Sequence, residues 1–299
     1  MLLIAGGSAD SSIESIVAQA ERRGLETRVL RVGPGTNPSL VWDFDGDRLT
    51  INGEEASPAA VFLRYDVFSH LADQRPETAY RAGAWFTALQ GWLLAHPAVR
   101  MLNRRHDRVT NKPYVLHLAA SVGLRIPRTR ITNELDALQA EAEALGPSIA
   151  KPLTGGGYAQ PLEELLAATE RREGRSAAPA FVQQRLVPPE VRVYGVGMGA
   201  TRRYVAFRVD SAELDYRIDD ASVVVHLTPS EVDADAVQGL GRLMDALEMD
   251  YGAADFKADP DTGRLAFLEI NSGPMFAGFD AVSDGAVSDA ILEYLMDVE

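Results

Sequence analysis

The chain has no cysteine in its 299 residues. Disulfides, thiolate metal sites and a cysteine nucleophile are therefore excluded. It has no excess of positive charge either. With 43 acidic against 29 basic residues, the formal charge is −14, and no general basic surface exists to neutralise nucleic-acid phosphates. No apolar run approaches membrane-spanning length. The opening Met1-Leu2-Leu3-Ile4-Ala5-Gly6-Gly7 is too short and uncharged for a signal peptide. The expectation is a soluble cytoplasmic protein with no nucleic-acid and no membrane partner. Lysine is scarce: of the 29 basic residues, only Lys112, Lys151 and Lys257 are lysine. Lysine is a compact point charge on a flexible stem, which arginine does not replace. Each of the three lies in a patterned stretch, so they read as kept for function rather than left by chance. Internal repeats and low-complexity segments are missing as well.

What is present is an ordinary globular composition, 46% hydrophobic, in a chain long enough for two or three lobes. Leu2–Ala5 predicts a strand, Ser11–Arg23 a helix, and Arg28–Val32 a strand, which together mark an α/β layer. Ser11 and Glu14 fit a capping box and Gly24 a helix stop. Gly6-Gly7-Ser8 lacks dinucleotide spacing and reads as a tight turn near a substrate. A hairpin over Val41–Asn52 and a strand over Ala60–Leu63 follow. A helix over Pro76–Ala95 places Trp85, Phe86, Leu89, Trp92 and Leu93 on a core face. Arg64 and Arg81 could meet an anionic substrate, but solvated or ion-paired surface arginines are the favoured reading. Further helices are expected over Lys112–Val122, from the Asn133 cap to Leu145, over Leu162–Arg172, over Asp233–Leu247 and over Val282–Met296. Strands are expected over Ser148–Leu153, Ala180–Val187, Glu190–Gly197, Val205–Val209 and Val223–Leu227, with a loop over Glu173–Ala180.

The most informative stretch is an acidic hairpin, Tyr251–Asn271. Its turn, Asp259-Pro260-Asp261-Thr262-Gly263, has proline to preset one φ and glycine to supply a positive one. Symmetry about Thr262 sets Asp255 opposite Glu269, and strand alternation puts Glu269 and Asn271 on one face. Two facing carboxylates repel. A divalent cation such as Mg²⁺ reverses that sign. An exposed acidic hairpin is the plainer alternative, but apolar residues flank the carboxylates. Upstream, Lys151 ends a strand and meets Thr154-Gly155-Gly156-Gly157-Tyr158. Such glycines let backbone N–H groups approach a phosphate closely, although no Walker motif follows. A flexible surface loop is the alternative there. Together, Lys112, Lys151, the glycine loop and the hairpin supply cations, a lid and metal-binding oxygens, which is what phosphoryl transfer needs.

Six stretches in order resemble the ATP-grasp family, and more narrowly its ribosomal-protein-S6 glutamate-ligase and graspetide branches. They are Asn111-Lys112-Pro113 with Gly123–Thr129; Ile149-Ala150-Lys151-Pro152; Phe181–Val187; Glu190-Val191-Arg192; Asp215-Tyr216-Arg217; and Asp255 with Leu268-Glu269-Ile270-Asn271. The resemblance implies an α/β (α+β lobes) chain: an amino-terminal α/β pre-ATP-grasp lobe at 1–104, a central lobe at 105–186 and a carboxy-terminal lobe at 187–299, with nucleotide between the last two. It implies that Lys112 and Lys151 bind ATP phosphates and that Gly155, Gly156 and Gly157 close as a lid. Gln184, Arg185 and Leu186 would flank adenine through backbone groups, and Glu190 would hold the ribose. Arg192 and Arg217 would meet the γ-phosphate or acyl phosphate. Asp255, Glu269 and Asn271 would hold Mg²⁺, two ions by the family pattern, with Mn²⁺ as a substitute. Lys257 falls outside the family set and reads as structural or as a substrate contact. The implied activity is ADP-forming carboxylate–amine ligation of an amino acid or dipeptide. A graspetide-type ligase that crosslinks a peptide's side chains is one alternative, and a non-catalytic nucleotide-binding protein another. Partners would be a small-molecule amino acid or a peptide, with a homodimer or higher homo-oligomer left open.

Overall fold

The computed structural model describes residues 1–106, 111–154 and 158–296. The first layer is the expected strand–helix–strand unit: β1 (Leu2–Gly7), α1 (Ser11–Arg22) and β2 (Thr27–Val32). Gly6 and Gly7 continue β1 rather than forming a turn. The cap of α1 is Asp10, not Ser11. Its carboxylate accepts from Ser12 N at 2.9 Å, while Glu14 pairs with Arg31 instead of folding back. A small antiparallel sheet follows, built from β3 (Leu40–Asp43), β4 (Arg48–Ile51) and β5 (Glu54–Glu55). Then come β6 (Ala60–Leu63), the short helix α2 (Val67–Ala72), α3 (Pro76–Ala95) and β7 (Arg100–Met101). The sheet order β2-β1-β6-β7 is parallel throughout, and the inner strand β1 is buried along its whole length. Arg64 is not a surface residue. It is 8% exposed, and its Nε donates to Asp10 Oδ2 at 2.6 Å.

The next segment runs α4 (Lys112–Ser121), β8 (Thr129–Glu134), α5 (Leu135–Leu145), β9 (Ser148–Pro152), β10 (Gln160–Pro161), α6 (Leu162–Ala168) and β11 (Arg175–Gln184). Asn133 lies inside β8 and does not cap α5. The Gly174 carbonyl accepts from Leu135 N and Asp136 N instead, at 2.8 and 3.1 Å. The stretch expected as a loop before Ala180 is the first half of β11, and α6 is shorter than its pattern. These strands form the antiparallel sheet β10-β9-β11-β8. Leu135, Leu138, Leu162 and Leu166 pack beneath it.

The third sheet is built from β12 (Val187–Val196), β13 (Arg203–Asp210), β14 (Val223–Leu227), β15 (Tyr251–Ala258) and β16 (Leu265–Asn271), in the order β14-β13-β12-β15-β16. Helix α7 (Ala234–Ala246) lies between β14 and β15 in the chain. The expected terminal helix is two: α8 (Ala277–Ala281) and α9 (Ala286–Met296). Asp280 breaks them apart, because its Oδ1 accepts from Val287 N and Ser288 N at 2.9 and 3.2 Å and so starts α9 afresh. Helices α4 and α7 cover one face of the five-stranded sheet. The opposite face shares a single core with the parallel sheet: Ile4, Ile13 and Phe62 join Tyr194, Phe207, Phe276 and Ile291 there. Among the described residues, no helix is long and apolar enough to cross a membrane.

Candidate functional site

The antiparallel sheet and the five-stranded sheet face each other across a cavity of about 540 Å³. Every lysine of the chain lines it. Lys112 is there because Asn111 caps α4, accepting from Tyr114 N at 3.0 Å and fixing where the helix begins. Lys151 comes from β9, and its Nζ lies 5.3 Å from the centre of the Phe181 ring. Burial lowers the Lys151 pKa, opposed chiefly by Glu269.

Across the cavity, β15 and β16 form the acidic hairpin. Asp255 pairs with Glu269, as symmetry about Thr262 predicts. The register is kept by a bulge. Beyond it Phe256 pairs with Phe267 and Ala258 with Leu265, so Leu268 is the extra residue. With a regular ladder from the turn, Asp255 would face Leu268 instead. Lys112 Nζ lies 3.1 Å from Glu269 Oε2. Burial works against the Glu269 charge, but Lys112, Lys151 and Arg217 outweigh it and hold its pKa below the usual value. Burial pushes the Asp255 carboxyl up and the Glu269 charge adds to this, opposed by Arg192. Arg192 donates to both Asp255 oxygens, at 2.9 and 3.0 Å, and its guanidinium stays charged. Its Nε reaches Tyr194 Oη at 3.1 Å, and the same Nη1 that meets Asp255 reaches Tyr216 Oη at 3.2 Å.

No three His, Cys, Asp or Glu side chains converge as a metal cage among the described residues. The candidate set is instead two carboxylates and the Asn271 amide, all lining the cavity. Hard oxygens of this kind suit Mg²⁺. The Asp255 pKa is raised by burial and by its neighbour Glu269, while for Glu269 the same burial is outweighed by the surrounding cations. An added divalent charge fits that donor set.

Glu190, on β12, sits opposite Lys257 of β15. The two form an ion pair at 2.9 Å, and Lys257 Nζ also donates to the Leu214 carbonyl at 2.7 Å. Burial pushes the Glu190 carboxyl up to about 7 against the pull of Lys257. Arg217 lies within a single turn of 3₁₀ helix, Tyr216–Ile218, and is held by Asp215, with its Nε 2.8 Å from Asp215 Oδ1. It lies over the Tyr158 ring, 5.5 Å from the centroid. At the strand junction, Gln184 N and Arg185 N donate to the Arg128 and Pro147 carbonyls, both at 2.9 Å. Leu186 N donates to no described residue.

Of the residues singled out by the sequence, Lys112, Lys151, Gln184, Leu186, Glu190, Arg192, Arg217, Asp255, Glu269 and Asn271 all line this cavity. Arg185 is not among the lining residues and its side chain is exposed; the expectation for it concerned its backbone, whose N–H donates to the Pro147 carbonyl. Gly155, Gly156 and Gly157 lie outside the described residues. Lys257, which the sequence leaves as structural or a substrate contact, lines the cavity too, as do Tyr216, Met275 and Phe279, none of which had an individual role. The signal for Lys257 was available, since it is the third of three lysines. Phe279, which lies 5.4 Å from the Arg192 guanidinium, falls in the Ser272–Phe279 stretch where the sequence places substrate choice without assigning any one residue a role.

The sequence matches no protein-family model and no curated protein sequence. Its structure has neighbours over its full length. The ATP-grasp ligase PsnB, in complex with precursor peptide PsnA2 and AMPPNP, is 25% identical with a TM-score of 0.72, over 98% of this chain and 97% of that one. Macrocyclase MdnC of Microcystis aeruginosa MRC, bound with precursor peptide MdnA, is 20% identical with a TM-score of 0.72, over 100% of both chains. The VanG D-Ala:D-Ser ligase of Enterococcus faecalis is 14% identical with a TM-score of 0.60, over 99% of this chain and 97% of that one. The chain has the ATP-grasp fold.

Proposed function

We propose that the cavity binds ATP and that the protein is an ATP-dependent ligase acting on a peptide. The observation that carries this is one cavity with the phosphate-binding kind of cation on one wall, Lys112 and Lys151, and paired carboxylates on the other, Asp255 and Glu269. The fold it sits in supports the same reading. A peptide is favoured over a free amino acid because PsnB and MdnC, both solved with precursor peptides, align at a TM-score of 0.72 against 0.60 for the D-Ala:D-Ser ligase.

The reaction has two steps. A substrate carboxylate oxygen takes the γ-phosphoryl group of ATP, forming an acyl phosphate and ADP. An amine or hydroxyl then attacks the acyl carbon, and inorganic phosphate leaves as the amide or ester forms. Positioning and charge neutralisation carry such a transfer. In this reading Lys112 and Lys151 hold the phosphates, and Leu186 N meets adenine. Glu190 holds the ribose, oriented by Lys257. Arg217 stabilises the charge on the transferring group, as does Arg192 from beneath Asp255. Mg²⁺, held by Asp255, Glu269 and Asn271, would supply positive charge against the phosphates. The test is product analysis with candidate peptides rich in acidic and hydroxyl or amine side chains: release of ADP and phosphate, abolished by EDTA, with loss of water from the peptide by intact mass. AMP as the product would falsify the acyl-phosphate reading.

The raised Glu190 pKa gives a pH dependence. Ribose hydroxyls donate to a carboxylate, so ADP affinity should rise as Glu190 ionises, through about 7. The charged groups acting on it are Lys257, Asp255 and Asp215. Stability moves the other way. The folded value lies above the ordinary 4.5, so the contribution is full below that value and is lost as the pH rises through about 7. Calorimetric titration with ADP from about pH 6 to about pH 8 should show the rise in wild type and a flat profile in Glu190→Gln. An unchanged profile in that variant would remove Glu190 from the nucleotide site.

A further inference from the structure

Helix α3 has an outer face that the single chain does not explain. Of its 20 residues only Glu77 and Arg81 are charged, both near its amino end, although the whole chain is 24% charged. Its inner side is accounted for, since Leu89, Trp92 and Leu93 are buried in one core with Leu3 of β1 and Val61 of β6. Helical spacing puts Tyr80, Gly83, Ala84, Thr87, Gly91 and Leu94 together on the outer side. Tyr80 is 78% exposed there and Leu94 54%. The β3–β4 hairpin extends this apolar surface: Phe44 is 76% exposed and stacks on Trp42, whose ring edge lies beside Gly91.

A glycine inside a helix costs stability relative to alanine. Gly83 and Gly91 are both inside α3, and neither adopts the positive φ that would require glycine. Internal packing does not require it either. Among the described residues, a Cβ at Gly83 would meet nothing within 4 Å, and one at Gly91 would meet only the Trp42 ring, at 3.9 Å. What these glycines permit is close approach by something outside the chain, since small residues at a helix crossing let the axes come to about 8 Å.

The face selects its own copy as that partner. The chain carries a net charge of −14, so two copies repel unless they meet across uncharged surface. This face is uncharged, and it offers a charged partner nothing to pair with. The order Tyr80, Gly83, Thr87, Gly91, Leu94 is spaced by 3, 4, 4 and 3 residues, the same in both directions about Thr87. A two-fold axis at Thr87 therefore lays two antiparallel copies of α3 together, with Tyr80 against the partner's Leu94 and Gly83 against the partner's Gly91. An isologous interface demands such self-complementarity. Aromatic side chains bury about 150–250 Å² each, so Tyr80 and Phe44 supply a large share of the roughly 800 Å² per partner that a standard interface needs.

We propose that α3 is the seam of a two-fold homodimer, with the axis at Thr87 and the Phe44 hairpins flanking it. The proposal does not depend on the ligase reading.

Sedimentation of the full chain over about 1–100 μM tests it, and should show a dimer. Thr87→Glu sets two like charges against each other across the axis and should weaken that dimer about a hundredfold or more. Gly83→Leu meets open space in the single chain, so it leaves the monomer folded and should weaken the dimer as well. Because the chain has no cysteine, Thr87→Cys adds a single thiol, and mild oxidation should link two chains through it. Ala140→Cys, exposed on α5, should link far more slowly. A monomer throughout that concentration range overturns the proposal. A dimer that Thr87→Glu and Gly83→Leu leave intact, or linking as fast through Ala140→Cys as through Thr87→Cys, puts the contact elsewhere and overturns it too.

Discussion

Glu269→Gln should lower ATP-dependent turnover by a factor on the order of 10² or more, with the fold unchanged. The substitution keeps the shape of the side chain and removes its charge. Glu269 faces Asp255 across the hairpin and is kept ionised by Lys112, Lys151 and Arg217. In the proposed site it is one of two anionic oxygen donors for Mg²⁺, so its loss falls on the charge balance around the transferring phosphoryl group. The structural effect should be small. The Lys112–Glu269 pair is part-exposed, at 37% and 23% of the two side chains, and exposed pairs contribute roughly 0–1 kcal/mol. Steady-state ADP release and a thermal melt on the same sample separate the two effects. Wild-type turnover in this variant would favour the non-catalytic nucleotide-binding reading.

Arg192→Met should destabilise the protein by about 3–5 kcal/mol. Arg192 and Asp255 are each 7% exposed, and removing the guanidinium leaves the carboxylate buried without its counter-ion. The Tyr194 and Tyr216 hydroxyls lose a donor at the same time. The double variant Arg192→Met/Asp255→Asn removes the stranded charge and should recover most of that loss, since replacing both members of a buried pair is often near neutral. Denaturant unfolding of the wild type, the single and the double variant measures this directly. A single variant as stable as wild type would mean that water reaches Asp255 and the pair is not the internal brace described above.

Local chemistry was readable in the sequence, and long-range chemistry was not. The opposition of Asp255 and Glu269 followed from the turn residues between them. The bulge at Leu268 that preserves it did not, because it depends on contacts outside the hairpin, including Phe267 N donating to the Arg125 carbonyl at 2.8 Å. The scarcity of lysine pointed to the cavity wall. Only the order β12-β15 shows that Lys257 stands against Glu190. Arg64 was misread as a surface residue because its partner, Asp10, lies fifty-four positions away. A second cavity, of about 400 Å³ beside the first, was illegible for the same reason. Its lining is drawn from β6, α3, the stretch around His106 and the segment after β16, which meet only in the folded chain.

The shared core has a consequence for how the protein is made. The inner strand β1 and helix α1 lean on α8 and α9, whose residues emerge from the ribosome nearly two hundred positions after β7. At about 5–20 residues per second, the apolar flank of the nascent first sheet waits roughly 10–40 s for its cover. During that interval Ile13, Ile16 and Phe62 have no permanent partner on that side. The protein's earliest-born lobe is thus among the last to be sealed, and its yield in the cell should respond to chaperone supply more strongly than the stability of the finished fold suggests.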